Sequence, residues 1–264
     1  MKDHKDELDE ELIDPDWEPS PEDFLPDKNE EDEDEQIEKK KKKNWVKIIS
    51  IVIAVMLVFQ VVGVFLSTYS IDALRFLQTS YRLSQQADIQ VYKEAVVTVQ
   101  GERSRGTGFA ISDDGLIVTN HHVIEGQNQL MVGFYKGELF EGEVISSYPE
   151  IDIAFLKVDG ENLPKLPLSQ SDATKDEAIY VIGNPLSFTQ IANEGAILDT
   201  SDLTIISAPI YRGNSGSPVI NMDGEVVAVV FAKRRTNQYD TRSVGLAIPI
   251  ETVKEHLPDR ANEN

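Results

Sequence analysis

Tyr211-Arg212-Gly213-Asn214-Ser215-Gly216-Ser217-Pro218 is the stretch on which the reading of this 264-residue chain turns. A serine stands between two glycines, and an apolar run follows it. Without a Cβ, Gly213 can turn its peptide N–H inward beside that of Ser215. Such paired amides, with Gly213, Asn214 and Ser215 forming the turn, answer an oxyanion that develops during acyl transfer. A serine hydroxyl at its free pKa is a poor nucleophile. It needs an imidazole to take its proton and a carboxylate to hold that imidazole.

Both partners stand upstream in a suggestive order. Asp152-Ile153-Ala154-Phe155-Leu156 comes first, and Thr119-Asn120-His121-His122-Val123 lies before it, just after a candidate strand. The order His, Asp, Ser matches one of three established triad orders, and neither the α/β-hydrolase nor the subtilisin order. A bare His–Asp–Ser set is a coincidence that any chain of this length supplies, so the surrounding strand-and-loop pattern carries the weight.

That pattern is β-rich. Candidate strands cover 95–99, 108–112, 116–119, 129–134, 143–146, 152–158, 178–182, 196–198, 204–207, 218–220, 225–231 and 243–247. Asp113-Asp114-Gly115 and Met222-Asp223-Gly224 read as tight hairpin turns. Only 250–257 reads as a terminal helix. About a dozen short strands predict an all-β domain, and two six-stranded antiparallel β-barrels fit that number.

Six segments in order resemble the trypsin-like serine proteases, specifically the HtrA/Deg branch. They are Gly106-Thr107-Gly108-Phe109, Thr119-Asn120-His121-His122-Val123, Asp152-Ile153-Ala154-Phe155-Leu156-Lys157, Ile182-Gly183-Asn184-Pro185, Gly213-Asn214-Ser215-Gly216 and Gly245-Leu246-Ala247-Ile248-Pro249. The resemblance covers roughly 92–257. It implies that His122 is the general base, Asp152 its orienting carboxylate and Ser215 the nucleophile. His121 then takes the variable position before the base. It further implies a primary pocket with Pro209 at its base, six residues before the serine, and Val230, Phe231 and Ala232 as walls. None of these is charged, which predicts cleavage after Val, Ala, Ile or Leu. Arg212 stands at the pocket mouth, where it would favour an acidic neighbour.

Two departures qualify the match. The family often reads Asn-x-Gly-Asn-Ser-Gly-Gly-Pro, and this chain has Tyr211 for the Asn and Ser217 for a Gly. The chain also ends at Asn264, which leaves no room for the PDZ module that family members commonly carry. A homotrimer is the oligomer that the resemblance implies, with Ile71, Leu74 and Leu77 as apolar contacts. A spacer or a continuation of the preceding helix is the other reading of 67–90.

Upstream, charge divides the chain. Residues 1–38 carry 19 acidic and 3 basic side chains, and 39–47 carry 6 lysines and no acid. The acidic stretch cannot bury enough apolar surface to offset its ordering entropy, so disorder is expected. Trp17, Phe24 and Leu25 offer a short docking motif against an otherwise solvated tail. Residues 48–66 form 19 positions without a charge, long enough to cross about 30 Å of hydrocarbon as a helix. Trp45 sits where an interfacial aromatic belongs. The preceding acidic segment is not the short basic region of a cleaved signal, so a retained anchor is expected. The lysines Lys39, Lys40, Lys41, Lys42 and Lys43 put the N-terminus in the cytoplasm and the rest outside. The expected layout is an acidic cytoplasmic tail over 1–44, a transmembrane helix over 45–67, a linker over 68–90, a protease domain over 91–258 and a short tail over 259–264.

Composition narrows the alternatives. The absence of cysteine excludes a disulfide scaffold, a Cys-ligated zinc site, a redox motif and a cysteine protease. A net charge of −21 argues against a nucleic-acid groove. No cofactor and no metal are expected. The expectation is a membrane-anchored serine endopeptidase of protein or peptide substrates, acting in quality control or stress response. A peptide-binding pseudoprotease and a membrane stress sensor are the rival readings.

Overall fold

The computed structural model describes residues 28–68, 71–237, 239 and 243–258. The chain divides into two units, Met1–Thr68 and Tyr69–Asn264. In the first, a single helix α1 (Lys28–Thr68) of 41 residues is described. Its stretch Lys39–Gly63 has mean hydropathy 2.5 and meets the length and composition of a membrane span. Every residue of that stretch is exposed among the described residues. Residues 28–38, expected to be disordered, continue this helix. Trp17, Phe24 and Leu25 lie outside the described residues.

The second unit begins with two helices, α2 (Ile71–Leu83) and α3 (Ala87–Ala95), in place of the expected linker. The stripe that α2 buries is Phe76, Ser80 and Leu83, spaced as one helical face. Leu77 and Tyr81, which share the sequence's apolar rhythm, face outward.

Seven antiparallel strands follow: β1 (Val96–Gln100), β2 (Arg105–Ala110), β3 (Leu116–Thr119), β4 (Met131–Gly133), β5 (Leu139–Glu141), β6 (Glu143–Tyr148) and β7 (Ile153–Lys157). Their order is β5-β4-β1-β2-β3-β7-β6. A short helix α4 (His121–Ile124) leaves the end of β3. Six more strands close a barrel: β8 (Ala178–Gly183), β9 (Ile191–Asp199), β10 (Thr204–Ile206), β11 (Pro218–Ile220), β12 (Val226–Arg235) and β13 (Ser243–Pro249), in the order β10-β13-β12-β11-β8-β9. Helix α5 (Ile250–Lys254) closes the described chain and is shorter than the expected 250–257. The all-β, two-part reading therefore holds, with one closed six-stranded barrel and one seven-stranded sheet.

Three apolar clusters hold this together. One fills the first sheet around Val97, Ile117, Val132 and Leu156. A second fills the barrel around Ile179, Ile206, Val219 and Val230. The third joins the halves, with Phe109 and Phe155 from the sheet, Ile182 and Val229 from the barrel, and Leu83, Ile89 and Val253 from α2, α3 and α5.

Candidate active site

The histidine side of the site is made by the pairing of β3 with β7. Thr119 lies opposite Ala154, so Asn120 and His121 emerge beside Asp152. Asn120 is fully buried and its Nδ2 donates to the Asp152 carbonyl at 2.8 Å. The His121 N–H donates to the same carbonyl at 3.2 Å. Asp152 itself has φ +56°, a left-handed conformation that aspartate tolerates better than most residues. Pinned this way, its carboxylate receives two bonds from one residue. The His122 N–H donates to Oδ1 at 3.0 Å and His122 Nδ1 to Oδ2 at 2.7 Å. A carboxylate acceptor puts the imidazole proton on Nδ1, which leaves Nε2 as an acceptor. The imidazole is 44% exposed, open enough for Nε2 to meet a substrate. His121 turns elsewhere, with Nδ1 paired to Ser147 Oγ at 2.7 Å.

The serine side is a turn between β10 and β11. Gly213 has φ +101° and Gly216 φ +83°. A Cβ at Gly213 would lie 2.4 Å from the Asn184 carbonyl, and one at Gly216 would lie 1.9 Å from the Thr107 carbonyl. Only glycine fits either position. Thr107, on β2, ties the turn to the first sheet. Its N–H donates to the Ser215 carbonyl at 2.8 Å and its Oγ1 to the Gly213 carbonyl at 2.7 Å. Thr107 Oγ1 in turn accepts the Asn184 N–H at 2.9 Å. The Leu186 N–H holds the Arg212 carbonyl at 2.9 Å. Across a trans peptide that orients the Gly213 N–H to the opposite side. Among the described residues, the N–H groups of Gly213 and Ser215 have no protein acceptor.

The two sides meet at Gly106, where a Cβ would lie 2.7 Å from Val123 Cγ2 and 3.2 Å from the Ser215 carbonyl. Ser215 Oγ donates to the Phe231 carbonyl at 3.5 Å, and among the described residues it makes no bond to His122. Phe231 is the extra residue of a bulge, because Val230 pairs with Ala247 and Ala232 with Leu246. The bulge turns its carbonyl to the serine.

The expected pocket residues do not share one cleft. Pro209 lines a cleft of about 980 Å³ together with Phe76, Asn193, Tyr211 and Lys233. Arg212 lines another of about 460 Å³, beside Arg103, Arg105 and Leu186. Val230 is wholly buried among the side chains of the barrel core, so it forms no wall. Phe231 and Ala232 are half-buried. Sequence reasoning singled out neither Thr107 nor Asn184 as a site residue, although both stand inside segments that carry the resemblance. Among the described residues, no three acidic, histidine or cysteine side chains cluster to hold a metal.

Known proteins of similar sequence and fold are serine proteases by name. Residues 106–229 match the trypsin-like peptidase domain family. The chain is 36% identical over 141 residues to "Probable periplasmic serine endoprotease DegP-like" of Chlamydia muridarum, which covers 49% of this chain and 28% of that protein. It is 32% identical over 187 residues to "Serine protease HTRA1A" of Danio rerio, covering 65% of this chain and 38% of that one. The solved serine endoprotease from Yersinia pestis matches with a TM-score of 0.60 at 29% identity, over 66% of this chain and 64% of that chain. The chain thus spans well under half the length of these curated relatives. Strand order and sequence agree on the coarser point: residues 106–229 match a trypsin-like peptidase domain, and the relatives and the solved neighbour are serine proteases bearing HtrA, DegP-like and serine endoprotease names.

Proposed function

We propose that this chain is a membrane-anchored serine endopeptidase that cleaves misfolded or exported proteins. The observation that carries the reading is the His122–Asp152 pair, which leaves Nε2 as an acceptor, together with a serine turn whose Gly213 and Ser215 N–H groups have no acceptor among the described residues. In the proposed reaction, Ser215 Oγ swings from the Phe231 carbonyl to His122. Nε2 takes its proton as Oγ attacks the scissile carbonyl. The Gly213 and Ser215 N–H groups receive the oxyanion. Asp152 steadies the imidazolium, which then gives its proton to the leaving amine. Water, deprotonated by the same imidazole, releases the acyl group from Ser215.

The family resemblance and the lack of charge on Pro209, Phe231 and Ala232 support an aliphatic side chain before the cut, although of the three only Pro209 lines the cleft that Lys233 and Asn193 share. A digest of a proteome-derived peptide library checks this, and a majority of cuts after Arg or Lys overturns it. The lysines Lys39 to Lys43 support a cytoplasmic N-terminus and a peptidase domain outside. The family resemblance supports a homotrimer, which light scattering of the detergent-solubilised chain tests.

A second reading, a peptide-binding pseudoprotease, draws on the Ser215–Phe231 bond, which leaves the nucleophile away from its base. A fluorophosphonate probe separates the two. Covalent labelling at Ser215, with casein cleavage that Ser215→Ala abolishes, supports the endopeptidase. Peptide binding without labelling supports the pseudoprotease.

A further inference from the structure

We infer that Phe76 is a positioning residue for the oxyanion turn: α2 grips the Tyr211 ring through it, and Tyr211 sets the turn that carries Gly213 and Ser215. The inference rests on the endopeptidase reading above.

A turn built on two glycines has no side chains of its own to hold it. Preorganised N–H groups therefore depend on neighbours. The first neighbour is Tyr211. Its carbonyl accepts the Asn214 N–H at 3.0 Å and closes the turn over Arg212 and Gly213. The Asn214 carbonyl accepts the Ser217 N–H at 2.9 Å, so one run of bonds passes from Tyr211 across the nucleophile.

The Tyr211 ring is held from two directions. Phe76, 5% exposed, meets it edge-on, with centroids 4.6 Å apart and planes at 67°. Lys233 Nζ lies over the same ring, 5.0 Å from its centroid. Both geometries are attractive for an aromatic ring. Lys233 stands two residues past Phe231, whose carbonyl accepts Ser215 Oγ. The ring thus bridges a helix outside the barrel and the strand that receives the nucleophile's hydroxyl.

Helix α2 is itself tied down, so Phe76 is not a loose contact. Ser80 Oγ accepts the Ala192 N–H of β9 at 3.1 Å. Arg82 pairs with Glu194 at 2.5 Å. Leu83 is wholly buried in the cluster that joins the two halves. Phe76 lies one turn before Ser80, so the register of α2 on β9 determines where its ring meets Tyr211. The sequence points the same way, because the position that the family often fills with Asn holds an aromatic residue here.

The test uses the full chain in detergent, with Phe76→Leu, Phe76→Ala, Phe76→Tyr, Tyr211→Ala and the Phe76→Ala/Tyr211→Ala pair. Three quantities are read: the fluorophosphonate labelling rate, kcat and KM on a peptide, and the urea midpoint. Phe76→Leu and Phe76→Ala are expected to lower labelling and kcat about ten- to a hundredfold, since small misplacements of reacting groups carry costs of that order. KM should stay within about twofold, the signature of a group that acts only through the transition state. Phe76→Tyr keeps the ring edge and should stay near wild type. The double variant should be no slower than Tyr211→Ala, because the two residues act as one unit. Unchanged labelling and kcat in Phe76→Leu overturns the inference. So does a loss that only tracks the folded fraction, or a double variant whose loss is the product of the single losses. A wild-type chain that fails to label at Ser215 overturns the endopeptidase reading, and the inference with it.

Discussion

Two adjacent histidines with different partners give the sharpest test at the residue scale. His122 bonds both oxygens of Asp152, whereas His121 pairs with Ser147. His122→Ala should lower kcat by about four to six decades while the fold persists, and His121→Ala should keep most activity. Peptide hydrolysis by the two variants decides, and the reverse pattern exchanges their roles. Thr107 gives a second test. Its hydroxyl donates to the Gly213 carbonyl and accepts from Asn184 N–H in a buried seam. Thr107→Val keeps the shape and strands both groups. It should cost about 1–3 kcal/mol of stability per buried group left unpaired. A urea titration measures that loss, and kcat should fall with it because the oxyanion turn loses a tether. The triad residue types were legible because reactive chemistry restricts the choice of side chain. Thr107 was not singled out, because threonine is unremarkable in a strand until the facing turn is known.

At the scale of elements, β3 and β11 match the expected spans at both ends, whereas β5 escaped notice. Three residues, Leu139, Phe140 and Glu141, are too short a run to show alternation, and pairing with β4 is what makes them a strand. The start of β9 escaped for a related reason. Asn193, Glu194 and Gly195 are poor strand formers, held extended by their register with Val181, Tyr180 and Ile179 of β8 respectively. Helix α3 contributes a buried cation. Lys93 is 6% exposed, its ammonium bonds Ser84 Oγ at 2.5 Å, and burial pushes its pKa below the ordinary 10.5. The unfolded chain therefore holds a proton that the folded chain gives up more readily. Stability from this group rises with pH from the lowered folded value up to 10.5 and is least below that window. Lys93→Met should stabilise the domain at neutral pH by roughly 1 kcal/mol and flatten that rise. Ser84 stays satisfied in the variant, since its Oγ donates to the Ser80 carbonyl at 2.6 Å. Thermal melts at neutral and alkaline pH measure both effects, and a variant less stable at every pH would contradict the expectation.

Over the whole molecule, charge and hydropathy change in blocks that suit a chain crossing a membrane. An acidic segment, a lysine cluster and an apolar helix precede the peptidase domain. The proposed topology predicts that protease added to intact cells digests the domain beyond the apolar helix and spares the acidic N-terminus. The opposite protection pattern would reverse the orientation argued from Lys39 to Lys43. The sequence alone determined the two-part β architecture, the apolar helix and the residue types of the candidate triad. Alternation, length and reactive-group order are local properties, written in consecutive residues. Tertiary structure decided which polar groups meet. It sent His121 to Ser147, buried Val230 in the barrel core, and parted Arg212 from Pro209. It also chose the face of α2, since Phe76 and Leu83 rather than Leu77 and Tyr81 turn inward. An amphipathic rhythm says that a helix has an apolar side. The surface that α2 meets, β9 and the Tyr211 loop, comes from residues more than a hundred positions away in the chain and exists only once the barrel has closed.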